Sequence, residues 1–326
     1  MLNFATDTQI SRRNFLVTGG AAASAVTAAA FLGPQALNLT LDGPDPALAG
    51  AADKTWGIWQ PGAPWDMGPL QPVPGLGARK PEAVHWYAKW SSSSFESCKH
   101  LFDRVSDFGA VPVLSWMPKD LSLKSIPAGD WDAYISSWAT GLKNYGKPVY
   151  LRIGHEMNIP HHPWSVGVNG NTGSDFIRAW RRVVRTFRDR GANNVKFIWA
   201  PNIGWSGTTP FSECYPGNAY VDWIGLDGYN GGSALDWGGW QSFEKIFLPS
   251  YQLLVGKGKP MAVTEVGSVE QGGNKAKWIT DMFAAMRNKM PAFKMLLWFN
   301  EHGSGDWRIT TSSSASEAFR KGVAGW

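Results

Sequence analysis

Cysteine is almost absent from this sequence. Only Cys98 and Cys214 occur among its 326 residues, and they do not form the closely spaced pair of a metal site. A disulfide would need the two residues to lie close together in the fold, which their positions in the sequence do not show. We expect two free thiols, with a disulfide formed after export as the alternative.

Charged residues are also scarce, at 17% of the chain, whereas hydrophobic residues make up 44%. This balance excludes a disordered or acidic-tail protein and supports a large core. The net charge of +5 permits an acidic partner, but lysine and arginine do not cluster with aromatic residues as they do on nucleic-acid-binding surfaces. The densest basic run, Arg178 to Arg190, carries apolar residues at helical spacing, so we interpret its arginines as the solvated face of a helix. We expect no nucleic-acid partner.

Several catalytic signatures are missing. No glycine-rich phosphate turn follows a strand-like run, and no G-x-S-x-G motif of a serine hydrolase occurs. His155, His161 and His162 lie together and suggest zinc, but a helical zinc motif would need histidine where Ile159 stands. We expect no metal and no cofactor.

The one candidate for a targeting segment lies at the N-terminus. Arg12 and Arg13 precede a mildly apolar, alanine-rich run, and this pattern resembles a twin-arginine export signal. The alternative, a membrane anchor, would need a longer and more apolar run. The Ala-Leu-Ala at 47–49 fits a small-residue cleavage site. We interpret residues 1–49 as a signal peptide read by the twin-arginine export machinery, and residues 50–326 as one catalytic domain of a secreted protein.

From Lys54 onward, strand-like apolar runs alternate with helical segments. Eight strands alternating with helices over about 275 residues have the size and order of an α/β protein of the (β/α)8 type, a TIM barrel. A doubly wound open sheet is the alternative, which the missing phosphate turn disfavours. The predicted strands lie near residues 56–60, 83–90, 111–117, 149–158, 195–200, 221–229, 259–268 and 294–300. We also predict Asp130 as the N-cap of the helix that follows the third strand.

Two of these strands end in a glutamate, Glu156 and Glu265. The carboxyl ends of barrel strands meet on one face, where barrel enzymes place their chemistry. Retaining glycoside hydrolysis needs two such carboxyl groups, one to protonate the leaving oxygen and one to attack the anomeric carbon. Nineteen tryptophans also suit sugar binding, because aromatic faces pack against the C–H faces of sugars. The alternative is that both glutamates are structural carboxylates.

The segment Arg152 to Asn158 ends in His-Glu-Met-Asn, and it resembles the acid/base signature of glycoside hydrolase family 26, the β-mannanase-type branch of a clan of retaining (β/α)8 enzymes. The resemblance covers roughly residues 54–326. It implies that Glu156 is the general acid/base and Glu265 the nucleophile. The chain departs from the family where proline usually stands in strand four, at 153–154, and in the loop 159–163. Both departures lie beside the expected cleft and concern the identity of the sugar.

The resemblance further implies a set of substrate-binding residues. His155 lies beside the acid/base, Tyr229 matches a tyrosine that hydrogen-bonds the nucleophile, and Trp298 matches the tryptophan that floors the subsite before the cleaved bond. Trp164 matches an aromatic residue of the loop after strand four. Strand alternation places Arg152 on the same face as the acid/base, where it is a candidate substrate ligand, with a buried ion-pair role as the favoured alternative.

We therefore expect a retaining endo-β-glycosidase that acts on a β-linked polysaccharide, and we expect a monomer. The resemblance makes β-1,4-mannan the expected substrate, with β-glucan, β-xylan or the producer's own exopolysaccharide as alternatives. A transglycosidase would use the same residues. The rival from another class is a non-catalytic carbohydrate-binding barrel, which would bind the polymer without cutting it.

Overall fold

The computed structural model describes residues 54–71, 79–91 and 94–326. The predicted signal peptide, residues 1–49, lies outside the described residues. Within the described ranges, no helix combines the length and the apolar character that crossing a membrane requires. Cys98 and Cys214 are both free thiols, as expected.

Eight parallel strands pair in sequence order and close into a barrel, because the first strand pairs with both the second and the eighth. This confirms the predicted (β/α)8 fold, and most predicted strands lie close to the observed ones. The strands are β1 (Thr55–Trp59), β2 (Ala83–Lys89), β3 (Val111–Met117), β4 (Val149–Ile153), β5 (Val195–Trp199), β6 (Trp223–Asn230), β7 (Met261–Ser268) and β8 (Phe293–Phe299).

Helices follow the strands and cover the outside of the barrel. They are α1 (Phe95–Asp107), α2 (Ser125–Ala128), α3 (Asp132–Tyr145), α4 (Gly173–Asp189), α5 (Phe211–Cys214), α6 (Phe243–Val255), α7 (Lys275–Asn288) and α8 (Ser313–Ala324). The described part of the β1–β2 connection holds a short 3-10 helix, Gly68–Leu70. The N-cap of α3 is Trp131 and not Asp130, and no side chain caps that helix.

Helix α4 shows how the sequence pattern sets the fold. Thr172 and Asp175 form a capping box that fixes the start of the helix. Its apolar residues are buried against the barrel, while Arg178, Arg185 and Arg188 are exposed. The basic run is therefore the solvated face of a helix, as predicted.

The core has three parts. A small cluster fills the inside of the barrel, with Tyr150, Ile198 and Met295 among its members. A much larger cluster occupies the layer between strands and helices and contains many of the tryptophans. The third cluster is mostly aromatic, and we call it the mouth cluster. It consists of Trp59, Val269, Phe299 and Trp307 with the partly buried Tyr87, Tyr229, Leu235 and Trp237. It includes residues at the carboxyl ends of the strands and therefore lies at the face where a barrel places its chemistry.

Candidate active site

The chain turns sharply after β4 and so delivers Glu156 to the mouth of the barrel. The strand ends at Ile153, earlier than predicted, because Gly154 (φ +51°) and Glu156 (φ +53°) both have left-handed backbone conformations. Strand alternation therefore does not set the direction of Glu156. A left-handed conformation is uncommon for a residue other than glycine, and such residues cluster at functional sites.

Glycine at position 154 also avoids a crowded contact. A Cβ atom there would lie 3.1 Å from Cδ1 of Trp164 and 3.3 Å from Cε2 of Phe176, both of them buried side chains. The indole Nε1 of Trp164 in turn donates to the carbonyl oxygen of His155 at 2.7 Å. The turn that carries Glu156 is thus held between the strand and the packed loop behind it.

Glu265, on β7, accepts hydrogen bonds from three side chains. The hydroxyl of Tyr87 (2.6 Å) and Nη1 of Arg152 (2.9 Å) donate to Oε1, and the hydroxyl of Tyr229 (2.7 Å) donates to Oε2. Burial and the neighbouring Glu265 raise the pKa of both tyrosines well above its ordinary value, so both remain protonated donors. Three donors suit an ionised, acceptor-only carboxylate. The structure brings Tyr229 to the nucleophile candidate as predicted, whereas Tyr87 was not among the predicted residues.

Arg152 lies beneath this carboxylate and is fully buried. It also donates through Nη2 to Asp227 at 2.5 Å, and the second oxygen of Asp227 accepts from the hydroxyl of Thr264 at 2.5 Å. Burial raises the pKa of Asp227, and the guanidinium of Arg152 opposes this shift. The interpretation of Arg152 as a direct substrate ligand is corrected: with no exposed surface, it is the ion-pair partner of two carboxylates.

His85 supports the guanidinium from the other side. Its Nε2 lies 3.1 Å from Nη1 of Arg152 and 2.8 Å from the hydroxyl of Ser115. Burial, and secondly the charge of Arg152, lower the pKa of His85 well below its ordinary value, so the ring is neutral and Nε2 accepts. No pattern in the sequence marks His85 or Ser115, because both lie within apolar strands and follow no motif.

Glu156 has a separate set of partners. Its Oε1 accepts from Nδ2 of Asn202 at 2.7 Å, and its Oε2 lies 3.3 Å from Nε2 of His162. The His162 ring stacks on the buried indole of Trp164, with centroids 4.5 Å apart and planes 7° from parallel. His162 belongs to the loop that departs from the family pattern, so this loop contacts the acid/base candidate directly.

His155 lies between the two halves of the site. Its ring centroid is 5.4 Å from that of Tyr87 and 4.9 Å from that of His162. Burial, with the nearby His162 as the second cause, lowers the pKa of His155 well below its ordinary value, so the ring is neutral. Its Nδ1 is buried and has no hydrogen-bond partner among the described residues.

Two predicted tryptophans do not face the mouth. Trp298 is fully buried, donates from Nε1 to the carbonyl of Trp307 at 2.8 Å, and packs edge-on against Phe319 of α8. It therefore lies in the strand–helix layer and cannot floor a subsite. The adjacent Phe299 faces the mouth instead, because strand neighbours point to opposite faces, and it stacks on Trp59 with centroids 4.5 Å apart.

The predicted role of Trp164 as a sugar-binding residue is also corrected. It is 1% exposed, and its indole supports His162 and the His155 backbone. The structure thus keeps Trp164 at the site but places it behind the residues that face the cleft.

The two catalytic candidates lie close together. One carboxylate oxygen from each of Glu156, Asp227 and Glu265 lies within 4.8 Å of the other two. Arg152 binds Asp227 and Glu265, so a cation from the chain itself already neutralises part of this acidic group. Asn202 and His162 contact Glu156, so the two glutamates have different surroundings.

Comparison with known proteins agrees with this geometry. The family model of glycosyl hydrolase family 26 matches residues 126–321. Endoglucanase H of Acetivibrio thermocellus is 37% identical over 252 residues, which are 76% of this chain and 28% of that protein. A mannan endo-1,4-beta-mannosidase of Bacillus subtilis is 25% identical over 210 residues, 62% of this chain and 52% of the relative. The chain thus spans from about a quarter to about half of the length of these two relatives.

Solved structures show the same fold. The Bacillus subtilis mannanase BCman superposes with a TM-score of 0.60 at 19% identity, covering 82% of this chain and 85% of that one. A modular endo-beta-1,4-mannanase from Cellulomonas fimi gives a TM-score of 0.61 at 18% identity, with 83% and 70% covered. These likenesses support the barrel architecture. The family model spans more than half of the sequence, including β4 and β7 with both glutamates, and this chain therefore belongs to glycosyl hydrolase family 26.

Proposed function

We propose that this chain is a retaining endo-β-glycosidase that cleaves a β-1,4-linked polysaccharide, with mannan as its substrate. The observation that carries the proposal is the distance of at most 4.8 Å between carboxylate oxygens of Glu156 and Glu265. Retaining enzymes hold their two carboxyl groups about 5–5.5 Å apart, whereas inverting enzymes leave about 6.5–9.5 Å for a water molecule. The short distance favours a nucleophile and an acid/base in the same site.

The hydrogen bonds support an assignment of roles within the pair. Asn202 donates to Oε1 of Glu156 at 2.7 Å, whereas Oε2 lies 3.3 Å from Nε2 of His162. We assign Oε2, which has the longer of these two contacts, as the oxygen that carries the proton for the leaving group. On Glu265, Oε1 accepts two hydrogen bonds and Oε2 accepts one, so Oε2 keeps an acceptor position and is the attacking atom. Attack gives a glycosyl-enzyme, and Glu156 then takes a proton from the water that releases the sugar.

The groups around the pair suit a sugar. His155 is 4% exposed and lies between Tyr87 and His162, so its neutral ring is a candidate hydrogen-bonding partner for a sugar hydroxyl. The mouth cluster offers aromatic faces to the C–H faces of the ring. No cofactor takes part in the proposed reaction.

The names of the relatives include endoglucanase H, mannan endo-1,4-beta-mannosidase and beta-1,3-xylanase, and the first two align with this chain over longer stretches than the third. Those named mannan endo-1,4-beta-mannosidase, from Bacillus subtilis and Bifidobacterium adolescentis, favour mannan. The 37% identity to a protein named endoglucanase H favours β-glucan as the second candidate. That name, however, describes a protein of which this chain matches 28%.

The test is a panel of β-mannan, β-glucan, β-xylan and exopolysaccharides, assayed for new reducing ends and for loss of viscosity. Glu265→Ala serves as the inactive control. We expect cleavage of mannan within the chain and an initial product of β configuration. Cleavage of β-glucan alone would select the second candidate. A folded protein that binds these polymers and cuts none would contradict the proposal and favour the carbohydrate-binding barrel.

We further propose that the protein is secreted through the twin-arginine machinery and acts as a monomer. The support for export is the sequence pattern around Arg12 and Arg13. Replacing both arginines with lysine in the full chain should leave the precursor in the cytoplasm, as judged by cell fractionation. Equal export of the lysine variant would contradict the proposed route, and light scattering of the purified protein tests the monomer.

A further inference from the structure

Trp205 is an exposed aromatic residue at the catalytic face. It is 50% exposed, and among the described residues Trp65 is the other exposed tryptophan, at 39%. Trp205 lies in the loop that follows β5, and this loop lies at the carboxyl face of the barrel. An indole that the fold leaves uncovered at the face that carries the chemistry can pack against the C–H face of a sugar.

The loop that carries Trp205 is tied to the acid/base segment. The side chain of Asn158 accepts from the backbone N–H of Asn202 at 2.8 Å and donates to its carbonyl at 2.9 Å. The carbonyl of Asn158 accepts from the N–H of Thr209 at 2.8 Å. Both ends of the loop 202–209 are therefore attached to one residue, which stands two positions after Glu156.

The indole itself is held on one side. The hydroxyl of Thr208 donates to the carbonyl of Trp205 at 2.9 Å and closes the turn. Gly207 has φ +106°, and a Cβ atom there would lie 2.9 Å from Cζ3 of the Trp205 ring. Glycine thus lets the backbone approach the ring, while half of the residue stays open to solvent.

We propose that Trp205 is a stacking platform for the sugar unit on the leaving-group side of the cleaved bond. This inference rests on the proposed glycosidase function. Glu156 would protonate the leaving oxygen, so the departing sugar lies beside it, and Asn202 connects Glu156 to the Trp205 loop. Three residues span at most about 10 Å, so Trp205 is within reach of a sugar held next to Glu156. The C–H face of that sugar would pack on the open face of the indole.

The test compares two substrates that differ in their leaving groups. A polysaccharide places a sugar on the leaving-group side, whereas the β-glycosyl fluoride of the same sugar places a single atom there. For Trp205→Ala we expect the ratio of kcat/KM on polymer to kcat/KM on fluoride to fall about tenfold, the change produced by ~1.4 kcal/mol. Trp205→Phe, which keeps an aromatic face, should restore most of the ratio.

Trp65→Ala is the matched control. Trp65 is an exposed tryptophan whose carbonyl accepts from Arg104 in the last turn of α1, toward the amino end of the barrel. For Trp65→Ala, the ratio of kcat/KM on polymer to kcat/KM on fluoride should equal that of the wild type. An unchanged ratio in Trp205→Ala would overturn the inference, whether activity is intact on both substrates or falls equally on both. Equal loss would place Trp205 elsewhere in the cleft.

A binding measurement separates this inference from the proposed function. In the Glu265→Ala background, affinity electrophoresis on the polymer reports binding without turnover. We expect Trp205→Ala to weaken that binding and Trp65→Ala to leave it unchanged. If the wild type cut no polymer but bound it in a Trp205-dependent way, the glycosidase proposal would fail and the platform would remain, without its assignment to a leaving group.

Discussion

Nη1 of Arg152, on β4, donates to Oε1 of Glu265, on β7, across 2.9 Å, although 113 residues separate the two in the sequence. The same guanidinium binds Asp227 through its other terminal nitrogen. All three side chains are buried or nearly so. The guanidinium therefore compensates the negative charge of two carboxylates that water does not solvate.

The first prediction concerns this ion pair. Arg152→Met should lower the free energy of unfolding by about 3–5 kcal/mol, because it leaves buried carboxylates without their partner. Urea unfolding at neutral pH measures the change. Arg182→Met is the matched control, since Arg182 pairs with Asp132 on the surface and an exposed pair contributes about 0–1 kcal/mol. A similar decrease in the free energy of unfolding in the two variants would show that the buried ion pair contributes no more to stability than the surface pair.

The second prediction concerns the tyrosine hydroxyls on Glu265. Tyr87→Phe and Tyr229→Phe should each lower kcat/KM about 10- to 100-fold, because a hydrogen bond to a charged group contributes about 1.5–3 kcal/mol. Tyr134→Phe is the control: its hydroxyl accepts from Trp116 at 3.3 Å, outside the site. That variant should keep its kcat/KM. Activity that falls equally in all three variants would indicate a general loss of structure.

The third prediction assigns the two glutamates by stereochemistry. Glu156→Ala should still form a glycosyl-enzyme from aryl glycosides, whose leaving groups need little protonation, and added azide should then give a product of retained configuration. With Glu265→Ala, azide should attack the opposite face and give the inverted product. Proton NMR of the glycosyl azides distinguishes the two. Reversed configurations would mean that the roles are exchanged.

The fourth prediction is a dependence of stability on pH. Burial lowers the pKa of His85 and His155 below the ordinary value, so each binds a proton more readily when the chain is unfolded. Their stabilising contribution is complete above the unfolded pKa of about 6.5 and is lost as the pH falls below it. Between pH 6.5 and 5, each should reduce the free energy of unfolding by up to about 1.4 kcal/mol per pH unit.

The matched variants are His85→Gln and His100→Gln, measured by urea unfolding at several pH values. His85→Gln should reduce the slope of stability against pH, because glutamine keeps an acceptor for Arg152 and does not titrate in this range. His100 is exposed on α1, and its replacement should leave the slope as it is in the wild type. Equal slopes in all three proteins would contradict a neutral, buried His85.

The sequence predicted the barrel and the position of both glutamates at one face of it, but not which side chains face the cleft. Apolar runs of strand length and the alternation with helices follow from burial, so β3 and β7 could be located well. The roles of Trp298 and Phe299 could not, because both are aromatic and the last pairing register of β8 decides which one faces inward. The sequence placed Arg152 on β4, but only the folded barrel shows the partners that bury it.

Residues without a motif were the hardest to find. Tyr87 and His85 alternate with apolar neighbours on β2. Tyr87 comes into contact with Glu265 only when the barrel closes and brings β2 and β7 together. His162 was visible as part of an unusual loop, but its contact with Glu156 depends on how that loop folds back over Trp164. Long-range contacts of this kind leave no periodic signal in a single sequence.

The left-handed backbone of Glu156 has a consequence for engineering. A residue other than glycine in this conformation carries a strain of about 1–3 kcal/mol, which the surrounding fold must offset. Selection for heat resistance alone would therefore favour glycine at position 156 and so discard the proposed proton donor. Directed evolution of this protein for thermal stability should therefore include an activity screen at every round, because the most stable variants are expected to be inactive.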